Sequence, residues 1–156
     1  MINLIGTYEC KTDSKGRFMM PSSLKKQLKS VVNEEFVLKR SVFNNALELY
    51  PMKEWESMVR QVNKLNRFVK KNNDFIRSYM SGLKILSIDS TGRILIPKDL
   101  ILFSGISKHL VLAASVNMIE IWDKDKYENT VKESLKNFGL LAEEVMGNQS
   151  DSDDIS

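Results

Sequence analysis

The chain has 156 residues and a formal net charge of +3, long enough for one domain or two small halves that share a core. Its 42% hydrophobic and 28% charged residues are ordinary for a soluble globular protein, and no apolar run approaches the roughly 20 residues of a membrane span. A single cysteine excludes an intrachain disulfide, and with a single histidine in addition we expect no Cys/His metal site. The N-terminal residues lack a basic segment followed by a long apolar stretch, so we expect a cytoplasmic protein without a signal peptide.

In chain order, the first half reads as a strand, a tight turn, a short helix, a hairpin and two helices. The predicted elements are a strand at 4–11, a helix at 22–28 capped by Ser22 or Ser23, a hairpin of 35–40 with 46–50, a helix from Pro51, and a second helix at about 67–80. The last of these is rich in Lys and Arg and also carries Phe68, Phe75 and Tyr79. These aromatic side chains predict a face that needs cover from another subunit.

The second half repeats this order. Its predicted elements are a strand at 83–88, a helix at 98–103, a hairpin of 109–113 with 118–122, and a helix from Asp123. We therefore divide the chain into a first repeat with basic connecting helices at 1–80, a second repeat at 81–146 and a tail at 147–156. Each half alone is too small to bury a core. The sequence thus predicts an α+β fold in which the two copies interleave their hairpins into a small closed barrel.

The most specific feature of the chain is a tight turn that occurs twice, at 13–21 and 89–97, each with Asp, Ser, Gly, Arg and Pro in the same places. The Asp side chain can accept hydrogen bonds from backbone N–H groups two residues on, and Gly can adopt the positive φ that closes the turn. An apolar triplet then forms a short strand, and proline ends it. The predicted turn-forming residues are Asp13, Gly16, Asp89 and Gly92.

The arginine of each turn, Arg17 or Arg93, has two interpretations. A guanidinium on a rigid turn presents a planar fork of donors that suits guanine or a phosphate. Alternatively, each arginine pairs with the aspartate of its own turn and only holds the turn in shape. We favour DNA contact, more strongly for Arg17 because Lys15 lies beside it in the basic half.

Charge is unevenly distributed between the two halves. Residues 1–80 carry 15 Lys and Arg against 8 Asp and Glu, whereas residues 81–156 carry 8 against 12. A basic half is compatible with a polyanionic partner, although a solvated lysine-rich surface explains the charge equally well. The segment 147–156 is acidic and has almost nothing apolar to bury, which predicts a disordered tail.

The doubled D-x-x-G-R turn, the I-P after it, L-Y-P-x-x-x-W at 49–55 and I-E-I-W-D at 119–123 resemble the MraZ family of bacterial proteins. The resemblance covers the chain from about Ile5 to about Leu141. It implies a double swapped-hairpin fold related to AbrB-type DNA-binding domains, assembled into a ring-like homo-oligomer. It also implies a transcriptional repressor that binds short repeats in double-stranded promoter DNA, upstream of its own gene and of the division and cell wall gene cluster.

Carried over by position, the DNA-contacting residues would be Lys15 and Arg17 in the first turn and Thr91 and Arg93 in the second. A protein of this kind would be associated with the nucleoid, and we expect no cofactor, no metal and no small-molecule substrate. No pattern of nucleophile and base and no phosphate-binding loop predicts an enzyme. A second function stays open at this point, namely a ring-forming module whose turns bind a protein partner without DNA.

Overall fold

Eight strands of the described residues form two antiparallel sheets in the computed structural model, which describes residues 2–155 and the side chains of residues 2–148. The strands are β1 (Thr7–Lys11), β2 (Arg17–Met19), β3 (Phe36–Arg40), β4 (Leu47–Pro51), β5 (Lys84–Leu86), β6 (Arg93–Leu95), β7 (His109–Ser115) and β8 (Met118–Asp123). The helices are α1 (Ser22–Gln27), α2 (Met52–Asn63), α3 (Lys70–Met80), α4 (Lys98–Ser104), α5 (Lys124–Lys136) and α6 (Phe138–Ile155). The α+β class predicted from the sequence is confirmed.

The larger sheet has the strand order β1-β7-β8-β4-β3-β5. The first strand of each half pairs with the hairpin of the other half, because β1 pairs with β7 and β5 pairs with β3. The two hairpins meet in the middle, where Glu48 of β4 lies opposite Glu120 of β8. Exchanging the halves leaves this strand order unchanged, so the sequence repeat is also a repeat of the sheet.

The smaller sheet contains only β2 and β6, the strands that follow the two repeated turns. Phe18 and Ile94 are paired at its centre, and both side chains are buried. This β2–β6 ribbon therefore covers the core with its inner face. Because the strands are antiparallel, the two turns lie at opposite ends of this ribbon.

The core beneath the two sheets is built from equivalent apolar residues of both halves. Leu24 of α1 and Leu100 of α4 are both fully buried, as are Leu38 of β3 and Leu112 of β7. Burial of such side chains contributes roughly 1.5–3 kcal/mol each. Both halves therefore contribute to a single core.

A second apolar cluster lies where α2 and α3 pack on the first hairpin. The indole of Trp55 contacts Tyr50 edge to face, with ring centroids 6.0 Å apart, and stacks on Tyr79 at 5.9 Å. Farther from this cluster, Phe75 is half exposed and Phe68 is fully exposed. The aromatic residues predicted on the second helix are thus divided between the cluster and the surface.

Both predicted hairpins are confirmed, but two element boundaries differ from the prediction. Helix α1 follows Pro21 without a side-chain cap, so the predicted cap by Ser22 or Ser23 is wrong. The hydroxyl of Ser23 instead accepts a hydrogen bond from Tyr8 at 2.8 Å.

Helix α3 begins at Lys70, later than predicted. Asn66 holds the preceding residues in a turn, because its Oδ1 accepts a hydrogen bond from the backbone N–H of Phe68 at 2.9 Å.

The chain divides into two compact units, Met1–Lys124 and Asp125–Ser156, and all the strands named above lie in the first. The second unit contains nearly all of α5 and all of α6. Helix α6 extends to Ile155 and so includes most of the segment 147–156, for which the sequence predicts disorder. The side chains after Asn148 lie outside the described residues, and the acidic tail stays a prediction. Among the described residues, no helix has the length and apolar character needed to cross a membrane.

Candidate nucleic-acid interface

The first turn, residues 13–17 (turn 1), is held by a single carboxylate. Asp13 Oδ1 accepts hydrogen bonds from the backbone N–H groups of Lys15 and Arg17, both at 2.9 Å. Asp13 Oδ2 accepts from Arg17 Nε at 2.7 Å, and the backbone of Asp13 bonds to that of Gly16 and Arg17. The turn therefore fixes the root of the Arg17 side chain and the orientation of its guanidinium.

The second turn, residues 89–93 (turn 2), repeats this arrangement with one addition. Asp89 Oδ1 accepts from the backbone N–H groups of Thr91 and Arg93 at 2.9 Å, and also from the Thr91 hydroxyl at 2.7 Å. Arg93 Nε donates to Thr91 Oγ1 at 2.9 Å and lies 3.4 Å from Asp89 Oδ2. Thr91 thus helps to position Arg93, while its predicted contact with DNA stays a prediction.

Hydrogen bonding lowers the pKa of both aspartates to about 2. For Asp13 the largest cause is the backbone N–H of Arg17, followed by the Arg17 side chain; for Asp89 it is the N–H of Arg93, followed by the Thr91 side chain. A depressed carboxyl pKa gives stability that is present above the ordinary value of 3.8 and lost as the pH falls through about 2. Both turns therefore keep their charge near neutral pH.

Backbone conformation favours glycine in both turns, and close packing adds a second reason in turn 1. Gly16 and Gly92 each have a φ of +86°, a conformation that residues with a Cβ rarely adopt. A Cβ built on Gly16 would lie 2.9 Å from the carbonyl oxygen of Ile96, which is too close for a backbone atom that cannot move away. The two predicted turn glycines thus occupy positions where a residue with a Cβ would be strained.

The β2–β6 ribbon brings the two arginines to one surface. Arg17 is paired with Leu95, and Met19 with Arg93. Backbone hydrogen bonds of 2.9 Å from Ile96 N to the Gly16 carbonyl and from Met20 N to the Gly92 carbonyl tie each turn to the opposite strand.

Side chains alternate between the two faces along a strand. Because Phe18 and Ile94 point inward, the residues before and after each of them point outward. We call this outer surface the ribbon face. It consists of Arg17, Met19, Arg93 and Leu95.

Both arginines of the ribbon face keep donors for a ligand. Their side chains are exposed to a similar extent, 33% for Arg17 and 35% for Arg93. The contacts inside the turns use Nε, and the described residues offer no hydrogen bond to either pair of Nη atoms. Each turn therefore holds its arginine through the base of the guanidinium. An arginine can therefore be held inside its turn through Nε and still donate hydrogen bonds to an external ligand through its Nη atoms.

Sequence reasoning missed one cation, Lys25 of α1. A Cβ built on Gly92 would lie 3.1 Å from Lys25 Nζ, so this ammonium group from the first half lies directly over turn 2. The equivalent neighbour of Gly16 in turn 1 is the apolar side chain of Ile101. Turn 1 thus has Lys15 in its own sequence, and turn 2 obtains Lys25 from the other half.

Extending the repeat alignment beyond the two prolines would have shown Lys25 and Ile101 at equivalent positions. It would not have shown that Lys25 lies at the opposite turn. That placement depends on the pairing of β2 with β6.

Among the described residues, no group of three or more His, Cys, Asp or Glu side chains could hold a metal ion. Cys10 is half buried, and burial raises the pKa of its thiol to about 11. A thiol in this state is a poor nucleophile and a poor metal ligand. Within the described structure, the ribbon face and its two turns therefore stand out as the candidate site.

Known proteins resemble this chain over nearly its whole length. The family model described as the MraZ protein matches the chain twice, at residues 4–78 and 80–146. A protein of Flavobacterium psychrophilum named transcriptional regulator MraZ is 62% identical over 151 residues, covering 97% of this chain and 96% of the relative. Its counterpart in Christiangramia forsetii is 59% identical over the full length of both chains, and one in Bacteroides fragilis is 33% identical over 94% of this chain and 92% of its own.

All three relatives are named as regulators, which agrees with the prediction that the chain is not an enzyme. The two matches of the family model fall on the two predicted repeats. They also cover both turns of the ribbon face. The chain belongs to the MraZ family.

Proposed function

We propose that this chain is a sequence-specific DNA-binding regulator of transcription that acts as a repressor. The observation that carries the proposal is the ribbon face, where two turns hold Arg17 and Arg93 at diagonally opposite positions of one outer surface. The names of the relatives support the same role. Double-stranded promoter DNA is the partner that this arrangement fits.

The geometry suits readout of the major groove. A two-stranded ribbon is narrow enough to enter it, and the free edge of a guanidinium can donate to O6 and N7 of guanine together. The aspartates fix the arginines before binding, so little side-chain entropy is lost on contact. Lys15 and Lys25 act as point charges toward the phosphates on either side of the groove.

We further propose that the cross-paired halves form the double swapped-hairpin arrangement of a small closed barrel, and that several copies assemble into a ring. The support for assembly is the exposed apolar surface of the first unit. Its side chains include Val42, Phe43 and Phe75, which line one cleft, and also Phe68 and Val69; Phe43 and Phe68 are 92% and 101% exposed. A ring would present many ribbon faces to DNA, which suits a promoter with several short repeats.

Light scattering tests the assembly directly. We expect a closed homo-oligomer at micromolar protein concentration, because a monomer would leave this apolar surface in water. A monodisperse monomer at that concentration would contradict the ring. Substitution of Phe43 by Ser should lower the mass of the oligomer, whereas Ile85→Ser on an exposed position of β5 serves as the matched control.

The promoter upstream of the chain's own gene and of the division and cell wall genes is the proposed target, and the nucleoid the proposed location. A mobility-shift assay with DNA from upstream of this gene tests the function, with a scrambled duplex of equal length as competitor. We expect retention of the upstream fragment in the presence of the competitor. Equal competition by the scrambled duplex would contradict sequence-specific binding and favour an interaction module that binds protein.

A further inference from the structure

The ribbon face carries two apolar side chains between its arginines. Met19 is 52% exposed and Leu95 is 51% exposed, although the central side chain of each strand is buried in the core. Both project outward for the same reason as the arginines, because Phe18 and Ile94 take the inner face. A DNA-binding surface with half of its projecting side chains apolar needs an apolar partner in the groove.

The register places each apolar side chain next to an arginine of the opposite strand. Met19 is directly opposite Arg93, and Leu95 is directly opposite Arg17. Side chains opposite each other in an antiparallel pair have Cβ atoms roughly 4.5–5.5 Å apart, which is comparable with the ~3.4 Å spacing of successive bases along a DNA strand. Each Arg and its apolar partner therefore meet the same base pair or adjacent base pairs.

The position of Met19 is also fixed by turn 2. A Cβ on Gly92 would lie 3.3 Å from Met19 Sδ and 3.1 Å from Lys25 Nζ, so the thioether and the ammonium lie together over the turn. Met19 is thus held beside Arg93 and its phosphate-binding cation. The exposed Met19 side chain is therefore part of the candidate site, because the neighbours named here belong to turn 2 or lie over it.

We propose that Met19 and Leu95 contact the C5-methyl groups of thymines, and that the DNA bound by this face carries thymine next to the guanines contacted by Arg93 and Arg17. Among the base edges of the major groove, the thymine methyl is the group that an apolar side chain recognises. This assignment rests on the proposed function and adds a second base type to its recognition. Met19 and Leu95 are then specificity-determining residues.

The test compares two versions of the upstream promoter fragment, one made with thymidine and one with deoxyuridine at every thymine position. The two differ only in the methyl group and keep the same pairing. We expect the unaltered protein to bind the uracil DNA more weakly, by about fourfold for each methyl lost from contact. Met19→Ala should bind the thymine DNA more weakly and should lose part of this discrimination, and Met19→Ala combined with Leu95→Ala should bind both versions equally.

Two controls separate this result from a general loss of binding. Met19→Leu keeps an apolar side chain and should retain the discrimination, whereas Ile85→Ala removes an equally exposed apolar group from β5 and should change nothing. Thermal unfolding of each variant checks that the half-exposed substitutions leave the fold intact.

Each other outcome is informative. Equal binding of both DNA versions by the unaltered protein would overturn the thymine assignment and leave DNA binding standing. Full discrimination in the double variant would show that other residues contact the methyl groups, and would overturn the assignment equally. Failure of the unaltered protein to select the thymine fragment over scrambled DNA would overturn the proposed function, and the assignment with it.

Discussion

Turn 1 and turn 2 share an Asp, a Gly and an Arg in the same hydrogen-bonding arrangement, yet they differ in the source of the neighbouring cation. Lys15 belongs to turn 1 itself, whereas Lys25 comes to turn 2 from a helix of the other half. The net charge of each half along the sequence therefore misrepresents the charge at each turn. A cation that is missing from the sequence of one turn can therefore be provided by a residue of the other half.

The two hairpins show the opposite case, because the first contains a buried lysine beside a glutamate and the second has no lysine at the equivalent position. Glu48 accepts a hydrogen bond from the Tyr50 hydroxyl at 3.0 Å and lies 3.6 Å from the ammonium group of the buried Lys39. At the equivalent positions of the second half, Glu120 has Ala113 in place of the lysine and Trp122 in place of the tyrosine. Burial raises the pKa of Glu120, and the nearby charge of Glu48 raises it further, while a hydrogen bond from Trp122 lowers it.

The largest effect should come from removing either arginine of the ribbon face. Arg17→Ala should lose about 1–3 kcal/mol for each base contact, and because an oligomer repeats the contact, specific binding should vanish in an ordinary assay. Since Lys25 gives turn 2 its own cation, Arg93→Ala should be almost as damaging. Operator affinity by fluorescence anisotropy, with thermal unfolding alongside, measures both.

A matched control for these variants is Lys53→Ala, which removes an exposed positive charge far along the chain from either turn. It should leave the affinity nearly unchanged. If Arg17→Ala binds poorly only because it unfolds at a lower temperature, the arginine is mainly a strut for turn 1. Normal operator binding by Arg17→Ala would end its assignment as a DNA reader.

The buried lysine of the first hairpin predicts a large effect on stability. Lys39→Ala gives the first half the residue that the second half has at this position, and leaves Glu48 largely buried without its cation. Breaking a buried ion pair in this way should lower the free energy of unfolding by about 3 kcal/mol. Chemical denaturation measures the change, and Lys39→Ala with Glu48→Gln should recover part of it. No recovery in the double variant would mean that the contact of the Lys39 ammonium group with the Tyr79 ring matters more than the ion pair.

A smaller effect should follow from removing the cations beside the turns. Lys15→Ala and Lys25→Ala should each weaken binding to all DNA sequences alike and reduce the slope of log affinity against log salt by about 1. A salt titration of each variant tests whether the turns are equivalent. An unchanged slope for Lys25→Ala alone would show that turn 2 makes no phosphate contact through this residue.

The smallest effect should come from ending the chain at Met146. Removing residues 147–156 takes away Asp151, Asp153 and Asp154 and little that could be buried, so the thermal unfolding temperature should not change. DNA affinity should stay the same or become modestly tighter, because fewer negative charges face a polyanion. A marked loss of affinity in the truncated protein would mean that the tail takes part in binding.

The sequence predicted the elements that depend on local patterns. The turn at Asp13, the hairpin ending at Tyr50 and the α+β class follow from turn residues, alternation and an internal repeat. Two features depended instead on contacts distant in sequence. Lys25 reaches turn 2 only through the pairing of β2 with β6, and Lys39 is buried although a lysine near the end of a strand ordinarily predicts exposure.

The cross-pairing of the halves also determines when the ribbon face can exist during synthesis. Arg17 pairs with Leu95, and Thr7 with Ala113, so the chain must close loops of many residues before either contact forms. Long-range pairings of this kind fold slowly compared with local ones. At translation rates of about 5–20 residues per second, turn 1 emerges several seconds before the strand that supports it. A nascent chain or an early-terminated fragment therefore has the Arg17 sequence without the ribbon face, and the proposed DNA binding needs chains that have been translated through both repeats.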